Sequence, residues 1–379
     1  MDCGIRGLGL VSAAGMGIAA LQRTLADPAF TPKIGLPRNE APPLPVITCH
    51  NFDPKGALPP LVARRLDRAS RLLAVACREA LQSAGQLGSK EQLGITVGTW
   101  TAGTSPLVEI LQAVFTLGPD QAPPMQFPNT VANAPASQVG ILEHLAGINL
   151  TFFEKQAGGL RAIVEGFRFI KAGKLQAVLA GGVDEACWLN AEAFARLRAL
   201  QSPRGSGLTL GEGAAVLLLA SVEASAGTVV ISGAGAASYP CPSHLYPDEP
   251  TSLVIACQKA LTEANLQAED VDLVVSLANG SARLGHLEAD AMKAVFGKHR
   301  PGVLGGLPER LGEGAFSSAL RVVAAAQVLL RHVQPTWPVP EHLAQHGFGV
   351  TPEKPKTALV TAVAGGGSAV AVVLQLRQG

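Results

Sequence analysis

The spacing of apolar and polar positions alternates between helical and strand-like stretches along the whole chain. From Asp67 to Ala84, apolar residues recur at helical period, with Leu66, Ala69, Leu73, Ala76, Ala80 and Leu81 on one face and Gly85 as the stop. Leu93–Val97 then predicts a strand. Leu150 to Phe153 predicts a short buried strand that breaks sharply into a second helix. That helix carries Leu160, Ile163, Val164, Phe167 and Ile170 at helical period and stops at Gly173. Through Pro106–Phe127, the residues Leu107, Ile110, Leu111, Val114 and Phe115, with Met125 and Phe127 beyond, predict a helix most of whose apolar side chains are core.

The pattern is also repeated. Ala76-Cys-Arg-Glu-Ala-Leu81 matches Ala256-Cys-Gln-Lys-Ala-Leu261 at an offset of 180 residues, and the strand stretches Leu93–Val97 and Leu273–Leu277 share that offset. Ala180-Gly-Gly ahead of Ala214–Ala220 parallels Ala364-Gly-Gly ahead of Ala369–Leu376. Strands alternating with helices twice over predict two duplicated α/β halves packed as layers. The seam falls in the Ala/Ser/Gly-rich Val222–Gly227. It divides the chain into an N-terminal half, 1–221, and a C-terminal half, 222–379, of one integrated unit.

Composition narrows the possibilities. The 379 residues carry a net charge of +1, only 16% charged side chains and a mean hydropathy of +0.27. Such a chain has a large core or a large buried interface, and nothing in it seeks nucleic acid or anionic lipid. No apolar run approaches the roughly 20 residues that span a bilayer. Leu8–Ala20 is apolar but broken by Gly9, Gly15 and Gly17, so it predicts strand, glycine turn and helix rather than a signal peptide. Gly7-Leu-Gly9 lacks the third glycine of a dinucleotide fingerprint, since Ser12 stands there. Cysteines 3, 49, 77, 187, 241 and 257 lie far apart and suit reduced thiols of a cytoplasmic protein. Cys241-Pro-Ser-His244 has metal-like spacing but no further partners, so neither metal nor cofactor is expected.

The chemistry concentrates at Asn149-Leu-Thr-Phe-Phe-Glu-Lys-Gln-Ala-Gly-Gly-Leu160. A strand-to-helix elbow sets one side chain over the free N–H groups of a helix, where enzymes stabilise negative charge and place nucleophiles. Here the apex is Gln156, an amide that hydrogen-bonds but does not attack. This elbow, with Val178-Leu-Ala-Gly-Gly-Val183, resembles the β-ketoacyl synthases of the thiolase fold. Glu154-Lys-Gln-Ala-Gly-Gly-Leu160 is more specifically similar to the chain length factors of type II polyketide synthases. The resemblance runs from about residue 4 to the C-terminus. It takes in Ile5–Gly17, Phe127-Pro-Asn-Thr-Val-Ala-Asn133, Gly211-Glu-Gly-Ala-Ala-Val216, Glu288–Gly297 and Gly365-Gly-Gly-Ser368.

The resemblance implies a thiolase-like α/β fold of two duplicated halves in an α-β-α-β-α arrangement. It also implies that the catalytic groups are missing. Gln156 fills the cysteine slot, Asn279 that of the first histidine and Glu313 that of the second, while His286 lies beyond the first slot, entering a helix. Three readings follow. The first is a non-catalytic subunit that pairs with an active ketosynthase, meets acyl carrier protein transiently and shapes the chain's channel. The second is a glutamine-type ketosynthase that decarboxylates malonyl carrier protein. The third is a lone acyl-binding protein. Loading decarboxylases of the family keep both histidines, which separates the second from the first. For the first reading, the resemblance assigns Phe127, Asn129, Asn133 and Phe153 to the partner interface and Phe115 and Met125 to the channel floor.

Overall fold

Two glycine pairs show how the sequence builds its layers. The first strand, β1 (Asp2–Ser12), runs beneath the helix α1 (Arg68–Ala84), which Asp67 caps by accepting from Ser70 N. A Cβ at Gly7 or Gly9 would lie 2.0 or 1.8 Å from the carbonyl oxygens of Ala80 and Ala76, so only glycine lets α1 sit this close. Gly233 and Gly235 meet Ala260 and Ala256 in the same way, at 2.1 and 2.0 Å. The Gly-x-Gly of the N-terminus is thus a packing device, and the 180-residue offset between the helices is its signature.

The computed structural model describes residues 2–38, 41–85, 92–200, 207–223 and 225–378. In the first half β1 is followed by β2 (Leu93–Gly98), β3 (Asn149–Phe152), β4 (Ala177–Asp184) and β5 (Gly213–Val222). In the second half come β6 (Val229–Ser238), β7 (Leu273–Val275), β8 (Gly302–Leu304), β9 (Thr357–Val363) and β10 (Ser368–Leu376). They lie side by side as β8-β7-β9-β10-β6-β1-β5-β4-β2-β3 in one 12-stranded sheet. Each half has the same order and the same mixture of parallel and antiparallel pairs. The halves join through a short antiparallel contact, Cys3 opposite Ile231. Of the linking stretch 222–227, residue 224 lies outside the described residues.

The helices complete the layers. Helix α2 (Thr104–Leu117) and α3 (Ala134–Glu143) precede β3, α4 (Gly158–Lys171) follows it, α5 (Thr251–Ala264) follows β6, α6 (Ala282–Phe296) follows β7 and α7 (Ala315–Leu329) follows β8. Helices α4 and α7 form the middle layer. Leu160, Ile163 and Phe167 meet Phe316, Leu320 and Val323 there, between Leu217 of one half and Val372 of the other. Every residue of α7 is buried, as a helix enclosed on all sides must be. Helix α1 covers the outer face of the first half, and α5 with α6 that of the second. This is the thiolase-like α-β-α-β-α arrangement, with helices and sheet each burying an apolar face.

Three expectations need correction. The strand at 149–152 is not buried: β3 is the last strand of the sheet, with Leu150 and the following Phe153 exposed. The apolar residues of α2 are mostly not core: Leu107, Leu111, Phe115 and Leu117 face outward, while Pro106 and Val108 are buried. Apolar period reports a face that avoids water, whether the cover comes from the same chain or another. Finally, Gly181 and Gly182 lie inside β4, whereas Gly365 and Gly366 lie in the turn after β9. The register pairs Val183 with Ala214 and Val363 with Ala369, so Val183 and Val363 are the counterparts, again 180 residues apart.

Candidate functional site

The elbow between β3 and α4 is tight because glycine makes it so. A Cβ at Gly98 would fall 1.9 Å from the Gly158 carbonyl carbon, so β2 and the N-terminus of α4 touch backbone to backbone. On the other side, Leu160 N donates to Ser318 Oγ of α7 at 2.9 Å. Lys155 takes a left-handed φ of 48° in the turn, and its Nζ donates to the carbonyl of Gly365 at 2.8 Å and to that of Ser243. Glu154 accepts from Arg161 Nε at 2.8 Å and from Ser368 Oγ. The elbow, the final glycine turn and the loop 239–246 are therefore fastened to one another.

Gln156, Asn279 and Glu313, far apart in sequence, are brought together here, and all three are buried. What joins them is Tyr246, which the sequence reading did not single out. Its Oη accepts from Gln156 Nε2 at 3.0 Å and from Asn279 Nδ2 at 3.0 Å. Asn279 Nδ2 also donates to Glu313 Oε2 at 2.9 Å, and Asn279 Oδ1 accepts from Ser281 N at 3.0 Å. The Ser281 contact fixes the amide's orientation, leaving its NH₂ to serve a phenol and a carboxylate together. Gln156 Oε1 accepts from Gly365 N at 3.3 Å. The other carboxylate oxygen of Glu313 accepts from Gly314 N and Ser317 Oγ, each at 3.0 Å.

Burial pushes the Glu313 carboxyl upward, and the nearby Arg321 guanidinium pulls it back down. Arg321, one turn-pair further along α7, is fully buried; burial lowers its pKa while Glu313 and Glu288 favour its charge. Its Nε has no hydrogen-bond partner among the described residues. Burial also raises the Tyr246 phenol, so it is a neutral hydroxyl at physiological pH. Asp184, at the end of β4, ties the loop after β2 to the start of α7: it accepts from Trp100 N at 2.7 Å, Thr101 N at 2.9 Å and Phe316 N at 3.2 Å. Burial lifts its carboxyl to about 6 against the pull of those N–H groups.

The chemical capacity of this arrangement is limited. Acyl transfer needs a thiolate or an activated hydroxyl, and decarboxylation needs donors aimed at a forming enolate. At this site two amides and a carboxylate are already spent on a phenol and on one another. Burial pushes the thiols of Cys3 and Cys257 up to about 12, which holds them protonated. His286 is exposed on α6, outside the site. In front of Tyr246 lies an open cleft of about 760 Å³ lined by Trp100, Lys155, Phe194, Leu197 and Ser243 among others.

The residues assigned to interface and channel lie elsewhere, on the stretch from α2 to just past the end of β3. Phe115 on α2, Met125 and Phe127 in the turn 124–129 and Phe153 after β3 are 82%, 79%, 70% and 63% exposed. Val131 and Ile141 are exposed as well, and Asn133 opens α3 with its side chain in solvent. Asn129 differs: it is buried within this subunit and does not present itself to a partner.

Comparison with known proteins fits this geometry. The family profile described as beta-ketoacyl synthase, N-terminal domain, matches residues 45–225, and that of the C-terminal domain matches 228–335. Nodulation protein E of Rhizobium meliloti (strain 1021) is 28% identical over 267 residues, 66% of this chain and 64% of that protein. The tetracenomycin polyketide synthase ketoacyl synthase beta subunit of Streptomyces glaucescens is 29% identical over 266 residues, 65% of each. These matches span just under two thirds of the curated relatives' length. Among solved structures, the ishigamide ketosynthase/chain length factor superposes with a TM-score of 0.87 at 19% identity over 99% of both chains. A ketosynthase in complex with its chain length factor from Xenorhabdus doucetiae gives 0.83 at 17% identity, over 99% of this chain and 98% of that one. At such identities the likeness is one of fold.

Proposed function

This chain belongs to the β-ketoacyl synthase family, and we propose that within it the chain is a non-catalytic subunit of chain-length-factor type. It pairs with an active, cysteine-bearing ketosynthase and shapes the channel in which that partner elongates a chain delivered by acyl carrier protein. The observation that carries this reading is the hydrogen-bonded set Gln156–Tyr246–Asn279–Glu313, three of whose members hold the positions that the resemblance gives to the family's cysteine and histidines.

The β3 end of the sheet supports the pairing. An edge strand with no further strand beside it among the described residues, followed by the exposed Phe153 and near the exposed Ile141 of α3, is a surface that needs cover. Pairing there across a twofold-like axis would bury these side chains, as large apolar interfaces do. The subunit's contribution is then steric: its bulky residues bound the partner's channel. Co-expression with a cysteine-bearing ketosynthase tests this, with co-elution as one complex and mass spectrometry of the carrier-bound product. Separate elution, with the ketosynthase's product unchanged by this chain, overturns it.

A further inference from the structure

The cleft in front of the elbow is wide, yet it ends at one ring. Tyr246 and Gln156 both line it, Asn279 beyond the phenol has no exposed surface, and Glu313 borders a separate small cavity with Trp100, Asp184 and Leu210. The phenol is held in place twice over, by the amides of Gln156 and Asn279. Its loop is held as well: Lys155 Nζ, from the elbow, grips the carbonyls of Ser243 and Gly365, and Gly366 N donates to Leu245 O at 3.0 Å. The cleft walls are suited to an acyl chain and its polar linker, with Trp100, Phe194 and Leu208 set against Lys155 and Ser243.

We propose that Tyr246 is the seal of a latent acyl-binding site: its ring ends this subunit's own cleft, so that an acyl chain entering it cannot reach Asn279. The proposal rests on the reading of the chain as a partner subunit. It adds that the division of labour is enforced sterically, by excluding chains from the inert site, as well as chemically, by the loss of the nucleophile. A cleft that ran on to Asn279 would hold a carrier-bound chain over more of its length than one that stops at the ring. The ring acts by occupying volume.

Thiol accessibility in the full-length chain tests this without any partner. Asn279→Cys places a thiol behind the ring, and iodoacetamide labelling followed by peptide mass spectrometry reads its exposure. The native cysteines, buried except for the half-buried Cys241, serve as internal references. A thiol reached only through rare opening reacts in proportion to that opening, so labelling should rise about tenfold or more when Tyr246→Gly is added. Adding Tyr246→Phe instead keeps the ring and should leave labelling slow. Equal rates in Asn279→Cys with and without Tyr246→Gly overturn the proposal, whether both are fast or both slow. So does fast labelling with Tyr246→Phe, which would make the hydrogen bonds the barrier. Co-elution of the same variants with a ketosynthase is read separately, so failure of the seal and failure of the pairing are told apart.

Discussion

Removing Arg321 should turn Glu313 from a held carboxylate into a buried liability. Both side chains are almost wholly inaccessible, and Arg321 is the cation whose charge holds the Glu313 carboxyl down. Glu288, the other carboxylate that attracts Arg321, keeps His342 Nε2 at 2.7 Å as an alternative partner, whereas Glu313 keeps only neutral donors. Arg321 and Glu313 attract through the interior without direct contact, so removing the cation costs less than the roughly 3–5 kcal/mol of breaking a contact pair, on the order of 2 kcal/mol. Arg321→Met, close in volume, should therefore lower unfolding free energy by that amount, a sizeable share of the roughly 5–15 kcal/mol of a typical domain. Glu313→Gln added to Arg321→Met should restore most of it, since an amide needs no counter-ion. The pH dependence follows. A carboxyl whose folded pKa lies above its unfolded value takes up a proton on folding, so stability falls as pH rises through the folded value. Arg321→Met raises that folded value further, and its deficit should be larger at pH 8 than at pH 5. Urea unfolding of the three proteins at both pH values decides. A single variant within about 1 kcal/mol of wild type, or a double variant no better than the single, would refute the charge-pair account.

Three further outcomes follow from the same structure. Gln156→Cys alone should give a complex with no new condensing activity at this subunit, because Asn279 and Glu313 still supply neither the base nor the oxyanion donors; acyl transfer measured by radiolabel or mass checks it. Phe115→Ala or Met125→Ala should lengthen the partner's products at near-normal rate, since an extra two-carbon unit against either side chain costs about 1–3 kcal/mol of overpacking. An unchanged product distribution in a normally assembled complex would remove them from the channel floor. Phe153→Glu, beside the unpaired edge of β3, should weaken partner binding by about 2 kcal/mol, close to thirtyfold in Kd, as measured by titration calorimetry.

Much of the layering could be read from the chain, and the reason is local. Elements set by near neighbours, such as α1 between Asp67 and Gly85, announce themselves by period and cap. The duplication shows because Ala76 and Ala256 face equivalent glycine pairs. The elbow at Gln156 was legible for the same reason. Tyr246, Arg321 and Asp184 were not, since nothing near them in sequence marks them: each acquires its role at least in part from groups 33 to 132 positions away. Period also cannot tell a face buried in the chain's own core from one awaiting a partner, and α2 and β3 were misjudged on that account. A cue existed in the density of large apolar residues between Leu107 and Phe127, more than one helix side can bury.

The central claim, that this subunit pairs with a ketosynthase yet never carries the chain, is tested most directly by intact-mass spectrometry of the purified complex after incubation with acyl- and malonyl-carrier protein. The account predicts an acyl adduct on the ketosynthase alone, an unmodified mass for this chain, and no carbon dioxide release from malonyl carrier protein by this chain in isolation. An acyl adduct mapping to the segment around Gln156, or decarboxylation by the isolated chain that is lost in Asn279→Ala, would contradict it.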